Sequence, residues 1–204
     1  MALAVHSDNT IGSPPPAALP RPRVLLIGTG LALASFVMAF VALLGLYAER
    51  RAVALRAHLE WLPKDVKIDL TPFNVAFVGL IILLVVLHWA IYCIDNDDRI
   101  RAYLALGLGV LLAAAYINSV CFAFTQMGFT VRDPTGVGAL VYAVTGLHLA
   151  MAGGGIVFVG LMTFRTLGGQ YSGRDREGLT AALVYWYVTV AVYAAIWFTI
   201  FVTK

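Results

Sequence analysis

Five stretches of this sequence are apolar all round, and each is separated from the next by a short polar segment: 24–47, 73–93, 102–125, 137–164 and 180–202. Each is long enough, at roughly 20 residues, to cross a hydrocarbon layer about 30 Å thick. A transmembrane β-barrel requires alternation of apolar and polar residues. Here "VGLIILLVVL" is apolar on every face. The fold class read from the pattern is therefore all-α, an integral membrane bundle of five transmembrane helices, because a helix satisfies its own backbone in lipid.

The polar connectors refine this. The first helix is expected to run past the membrane into "AERRAVALRAHLEWL", where Val53, Leu55, Leu59 and Leu62 alternate with charges, and to end at Pro63. That stretch suits the membrane interface or a partner. The short, charged "DNDDRIR" predicts that the second and third helices are antiparallel neighbours, whereas "LGGQYSGRDREG" reads as a flexible surface loop. Residues 1–22, containing "SPPPAALPRPR", read as a disordered amino-terminal tail, and residues 23–204 as the membrane domain. No secretory signal is read, since the run from Val24 exceeds an h-region.

Composition agrees: 61% of residues are hydrophobic and 12% charged. The formal charge of +3 comes with no basic cluster interleaved with aromatics, so no nucleic-acid partner is expected. The cations lie between the spans. With the amino terminus cytoplasmic, Arg21, Arg23, Arg99, Arg101, Arg165, Arg174 and Arg176 fall inside and Arg50, Arg51, Arg56, Lys64, Lys67, Arg132 and Lys204 outside. Seven against seven leaves orientation undecided by the positive-inside rule. The expected location is a bacterial cell membrane, multi-pass, with a cytoplasmic amino terminus.

No Asp, Glu, Lys or Arg lies within the five spans. Ion pumps retain such costly groups for use, so a carboxylate-driven pump is excluded. Cys93 and Cys121 have no CxxC or CxxCH spacing and read as small packed thiols. Of the four histidines, His88 and His148 lie within spans. Two imidazoles on facing helices are able to ligate a haem. Counted from the helix ends, the two rings differ in depth by roughly 15 Å, which is too far for one iron. His148 is instead expected to hydrogen-bond to a neighbouring helix, through Thr145 one turn earlier or through Tyr185 or Tyr187.

Gly146, Ala150 and Gly154 recur every four residues, a smooth stripe that lets a neighbouring helix approach, and Gly107, Gly109 and Ala113 to Ala115 offer a similar surface on the third helix. A phosphate cradle is a poor alternative, because no Lys-Ser/Thr pair follows these glycines.

Residues 137–204, "VYAVTGLHLAMAGGGIVFVGLMTFR" followed by a loop and "ALVYWYVTVAVYAAIWFTIFV", resemble the last two helices of haem-copper oxidase subunit III. That family carries Thr-Gly-x-His-x-x-His, matched by Thr145, Gly146 and His148, and Tyr-Trp-His-Phe-x-Asp, matched by Tyr185 and Trp186. The resemblance is weaker but collinear over "LASFVMAFVALLGLYAERR", and it fits the five-helix bacterial form. The second family histidine falls at Met151, the last-helix histidine at Tyr187, its acid at Val190, and two intramembrane glutamates near Phe36 and Val120.

The resemblance implies a non-catalytic subunit, with no haem, copper or other metal in this chain, that lies beside a haem-copper catalytic subunit and other respiratory subunits and holds phospholipid. No catalytic, cofactor-binding or metal residue is assigned. Haem and copper belong to the partner, which reduces oxygen with electrons from cytochrome c or quinol. The rival readings are a divergent relative that binds lipid or accompanies another complex, such as nitric oxide reductase, and a two-histidine haem protein.

Overall fold

The structure is a computed structural model that describes residues 23–63, 66–129, 135–171 and 175–203. The tail over residues 1–22 lies outside the described residues. Among the described residues five helices are long and apolar enough to cross a membrane: α1 Val24–Arg56, α2 Leu70–Asp95, α3 Arg99–Met127, α4 Val137–Leu167 and α5 Glu177–Ile196, the last continuing as a π-helical turn over Trp197–Val202. It is an integral membrane bundle. Each apolar run read from the sequence lies inside one of these elements.

Local chemistry sets the ends. The Asp69 carboxylate accepts from Thr71 N at 2.9 Å to start α2, and Asp98 accepts from Arg101 N at 3.2 Å to start α3. Gly128 and Gly136, both at φ 70°, close α3 and open α4 in a left-handed conformation that costs glycine nothing. The expected end of α1 at Pro63 is corrected. The helix stops at Arg56 and His58 turns at φ 55°, after which the chain folds back so that the buried Trp61 donates its indole N–H to Tyr47 Oη at 3.2 Å. Val53, Leu55 and Leu59 stay exposed on this extension.

The turn of residues 96–98 makes α2 and α3 antiparallel neighbours, as expected from its shortness. Ala76, Leu80, Leu83, Leu87 and Ala90 meet Ala102, Ala105, Gly109 and Ala113. A Cβ on Gly109 would lie 3.3 Å from Leu87 Cδ2, so this small residue sets the spacing. Gly107 has no such neighbour and Ala114 and Ala115 are exposed, so only part of the expected third-helix surface is used. Cys93 is buried, but Cys121 faces outward rather than packing.

α5 is the central post. Antiparallel to α2, it joins it through a stacked Phe73–Phe201 pair with centroids 3.7 Å apart, through Trp197 Nε1 donating to Asn74 Oδ1 at 2.8 Å, and at the other end through an Arg176–Asp95 ion pair. The π-turn, in which Thr203 N bonds Phe198 O at 3.1 Å, turns both Ile200 and Phe201 into the core. α1 runs parallel to α5 and is tied to it at both ends, by Leu26 N donating to Glu177 Oε1 at 3.1 Å and by Arg51 donating to the Thr203 carbonyl.

Candidate functional site

At mid-bundle one side chain draws on every helix. His148 of α4 is 1% exposed. Its Nε2 lies 2.9 Å from the Thr189 carbonyl oxygen on α5, and its Nδ1 2.7 Å from Tyr116 Oη on α3. A carbonyl only accepts, so Nε2 carries the hydrogen and Nδ1 receives the tyrosine hydroxyl. Phe40 of α1 meets the imidazole edge-on at 5.9 Å, and Tyr193 of α5 lies 5.4 Å away. Tyr193 in turn donates to the Phe73 carbonyl on α2 at 3.0 Å. The imidazole's hydrogen-bonding capacity is fully used within the protein.

The crevice beside this hub, lined by Tyr116, Val120, Thr145, His148, Tyr193, Ile196 and Phe201, is too narrow to admit a water molecule. Its polar lining is satisfied internally: Thr145 Oγ1 donates back to the Val141 carbonyl at 2.5 Å. Among the described residues the buried polar side chains are Thr29, Thr145, His148, Thr166 and Thr189, with no buried carboxylate or cation. Nor do three His, Cys, Asp or Glu side chains converge anywhere among the described residues.

His148 joins helices, yet not through the partners expected. Thr145 is engaged with its own helix, Tyr185 donates to the Met151 carbonyl at 2.7 Å, and Tyr187 lies 3.0 Å from His88 Nε2. Tyr116 and Thr189 do the work instead. Their signal in the sequence is faint, because a buried tyrosine on a separate helix has no fixed spacing from the histidine it meets.

The two intramembrane histidines also face different ways. His88 lies 3.0 Å from the Tyr187 hydroxyl and His148 2.9 Å from the Thr189 carbonyl, so both meet α5, through a side chain in one case and the backbone in the other. What separates the rings is direction. His88 is exposed, with Nδ1 3.0 Å from the Leu84 carbonyl, while His148 is enclosed on the other side of α5.

The glycine stripe is also displaced. Ala150 and Gly154 are exposed and Gly146 has nothing within 4 Å of a Cβ position. The close approach is at Gly155, where a Cβ would lie 2.8 Å from Trp186 Cζ2 and 3.0 Å from Tyr185 Cε1. Trp186 is wholly buried, and its indole Nε1 finds no hydrogen-bond partner among the described residues. A Cβ on Gly154 would meet only the Tyr185 hydroxyl, at 3.2 Å.

These residues of α4 and α5 are the ones that carried the family resemblance, and a direct comparison decides it. The sequence model of cytochrome c oxidase subunit III matches residues 21–203. The chain belongs to the cytochrome c oxidase subunit III family. It is similar to cytochrome c oxidase subunit 3 of Prototheca wickerhamii, 28% identical over 136 residues, covering 65% of this chain and 51% of that one. The subunit 3 of Strongylocentrotus purpuratus is 26% identical over 153 residues, 74% of this chain and 58% of the relative. A probable subunit 3 of Rickettsia conorii is 27% identical over 133 residues, 62% of this chain and 46% of the relative. The chain thus spans about half the length of the curated relatives it matches.

In subunit III terms, the motif residues Thr145 and His148 lie on the buried face of α4 and Trp186 on that of α5, while Tyr185 is half-buried between them. Met151, at the place of the family's second histidine, is buried at 1% exposure, and Val190, at the place of its acid, at 8%. Apolar side chains thus fill two of the family's polar interior positions. Tyr187, at the third, points outward to His88.

Proposed function

We propose that this chain is a non-catalytic component of a haem-copper terminal oxidase, lying beside the catalytic subunit, stabilising it and holding phospholipid, in a bacterial cell membrane with its amino terminus in the cytoplasm. Haem and copper reside in the partner subunit, where oxygen is reduced, and no redox cofactor is held here. The observation that carries this reading is the His148 hub. Its polar atoms are spent on joining helices, with no water-sized space beside them and no buried carboxylate among the described residues to pass a proton, so the core is built to hold shape.

The test is purification of the full chain from native membranes in mild detergent, followed by an optical spectrum and mass spectrometry. Co-purification of a haem-copper catalytic subunit, with the haem signal following that subunit, is the expected result. A Soret band in the isolated chain that vanishes in His148→Ala would overturn the cofactor-free assignment.

A second reading is favoured by Met151, Tyr187 and Val190 at family polar positions: an accessory or lipid-binding subunit of another membrane complex, such as a nitric oxide reductase. Recovery of that complex in place of an oxidase would establish it.

A further inference from the structure

We propose that α1 is a releasable strap and that Glu177 of α5 is the latch on its first turn. The sequence of α1 supplies no latch of its own. Arg23 stands at the cap position without a side-chain hydrogen bond, and the first turn contains no acidic residue. The first N–H groups of a helix have no partner within it, so they require water or an outside acceptor. One acceptor comes from 151 residues away, where Glu177 Oε1 takes the Leu26 N–H at 3.1 Å. A carboxylate there both satisfies a donor and complements the positive end of the helix dipole. Glu177 is also the first residue of α5, so one charge serves the positive ends of two parallel helices.

α1 is the least enclosed of the five helices. Only 11% of its most apolar stretch is buried within the protein, against 56% for α5 and 33 to 39% for the other three. Its inward residues are Thr29, Leu33, Phe40 and Tyr47, while Leu31, Met38 and Val41 face outward. The segment next to the latch is the weakest part. Gly28 and Gly30 have nothing among the described residues within 4 Å of a Cβ position, so they give up helix propensity without gaining a close contact there. The Phe40 contact with His148 sits about four turns beyond Leu26, so the first turn is free to lift while the hub stays closed. The proposal concerns the chain's own mechanics and stands whichever complex the chain joins.

Hydrogen exchange of the purified full chain in nanodiscs, read by mass spectrometry on peptides covering residues 24–31, tests this. Glu177→Ala should speed exchange there about fivefold, the factor expected for loss of one helix cap, with peptides of α3 and α4 unchanged. Glu177→Gln keeps an acceptor but loses the charge, and should give a rise of about twofold. Adding Gly28→Ala and Gly30→Ala to Glu177→Ala should slow exchange again, since a methyl group fits at both positions. Unchanged exchange in Glu177→Ala overturns the latch. Should that variant fail to fold, an unchanged Glu177→Gln overturns it equally.

Discussion

Tyr116 donates its hydroxyl to His148 Nδ1 across 2.7 Å, and through this bond α3 and α4 share a fixed imidazole whose other nitrogen is committed to α5. The pair is a structural tie, and its strength is measurable. A double-mutant cycle with Tyr116→Phe and His148→Leu, read by thermal unfolding in detergent, should give a coupling of about 0.6 kcal/mol and not above about 2. A coupling of zero would mean the bond is not formed in the folded protein.

His148→Gln keeps a donor and an acceptor but does not titrate near neutral pH. In the purified complex this variant should keep assembly and the pH profile of oxygen consumption. A shifted pH optimum with normal assembly would give His148 a part in proton delivery and remove the scaffold reading at its centre.

Gly155→Ala should destabilise the chain by about 1 to 3 kcal/mol, since its methyl group would lie 2.8 Å from a buried indole that has no room to retreat. Gly160→Ala, where nothing lies within 4 Å, serves as the matched control and should be neutral or mildly stabilising. Equal melting temperatures for the two variants would refute the close approach of α4 and α5 at Trp186.

Asp95→Asn removes the carboxylate that pairs with Arg176 where α2 ends and α5 begins. The pair is partly exposed, 43% for the arginine and 34% for the aspartate side chain, so the loss should be below about 1 kcal/mol. The difference in melting temperature between wild type and variant should shrink from 0.1 to 1 M salt. A difference that does not change with salt would show that the aspartate acts by something other than charge.

Tyr171, in the loop between α4 and α5, donates to Met162 Sδ at 2.9 Å. Burial pushes its phenol above the usual 10, the Arg165 guanidinium pulls it back, and Asp175 and Glu177 raise it further. The folded loop therefore holds the proton more tightly than the unfolded chain. Its contribution to stability is full below pH 10 and is lost as pH rises through the folded value. Wild type should lose stability above pH 10 more steeply than Tyr171→Phe, as read by melting temperature against pH. Parallel curves would place the phenol in water.

The helices were legible because hydrocarbon imposes one rule on every span, and the apolar runs report it directly. The register of α4 was harder. Four glycines between 146 and 155 offered two faces, and the four-residue spacing of Gly146, Ala150 and Gly154 pointed to the wrong one. The buried seam instead steps by seven, through Val141, His148, Gly155 and Met162, and it follows from the sequence once His148 is placed inside. The partners of His148 depend on which residues of α3 and α5 reach it across the bundle. Packing between the helices sets those partners, and hydropathy carries no trace of it. The exposed Cys121 has a similar cause: in lipid, outward positions are as apolar as inward ones, so composition does not separate the two faces.

The paired ties between α1 and α5 also act as a ruler. Leu26 and Arg51 are 25 residues apart along α1, about 37 Å at 1.5 Å per residue, and each is fastened to the same neighbouring helix. While both ties are closed, two parallel rods joined at both ends tilt together. A bilayer whose hydrocarbon is thinner than this pair expects must therefore be met by leaning both helices or by stretching lipid around them, at a cost of fractions of a kcal/mol per Å. The chain thereby carries a preference for membrane thickness.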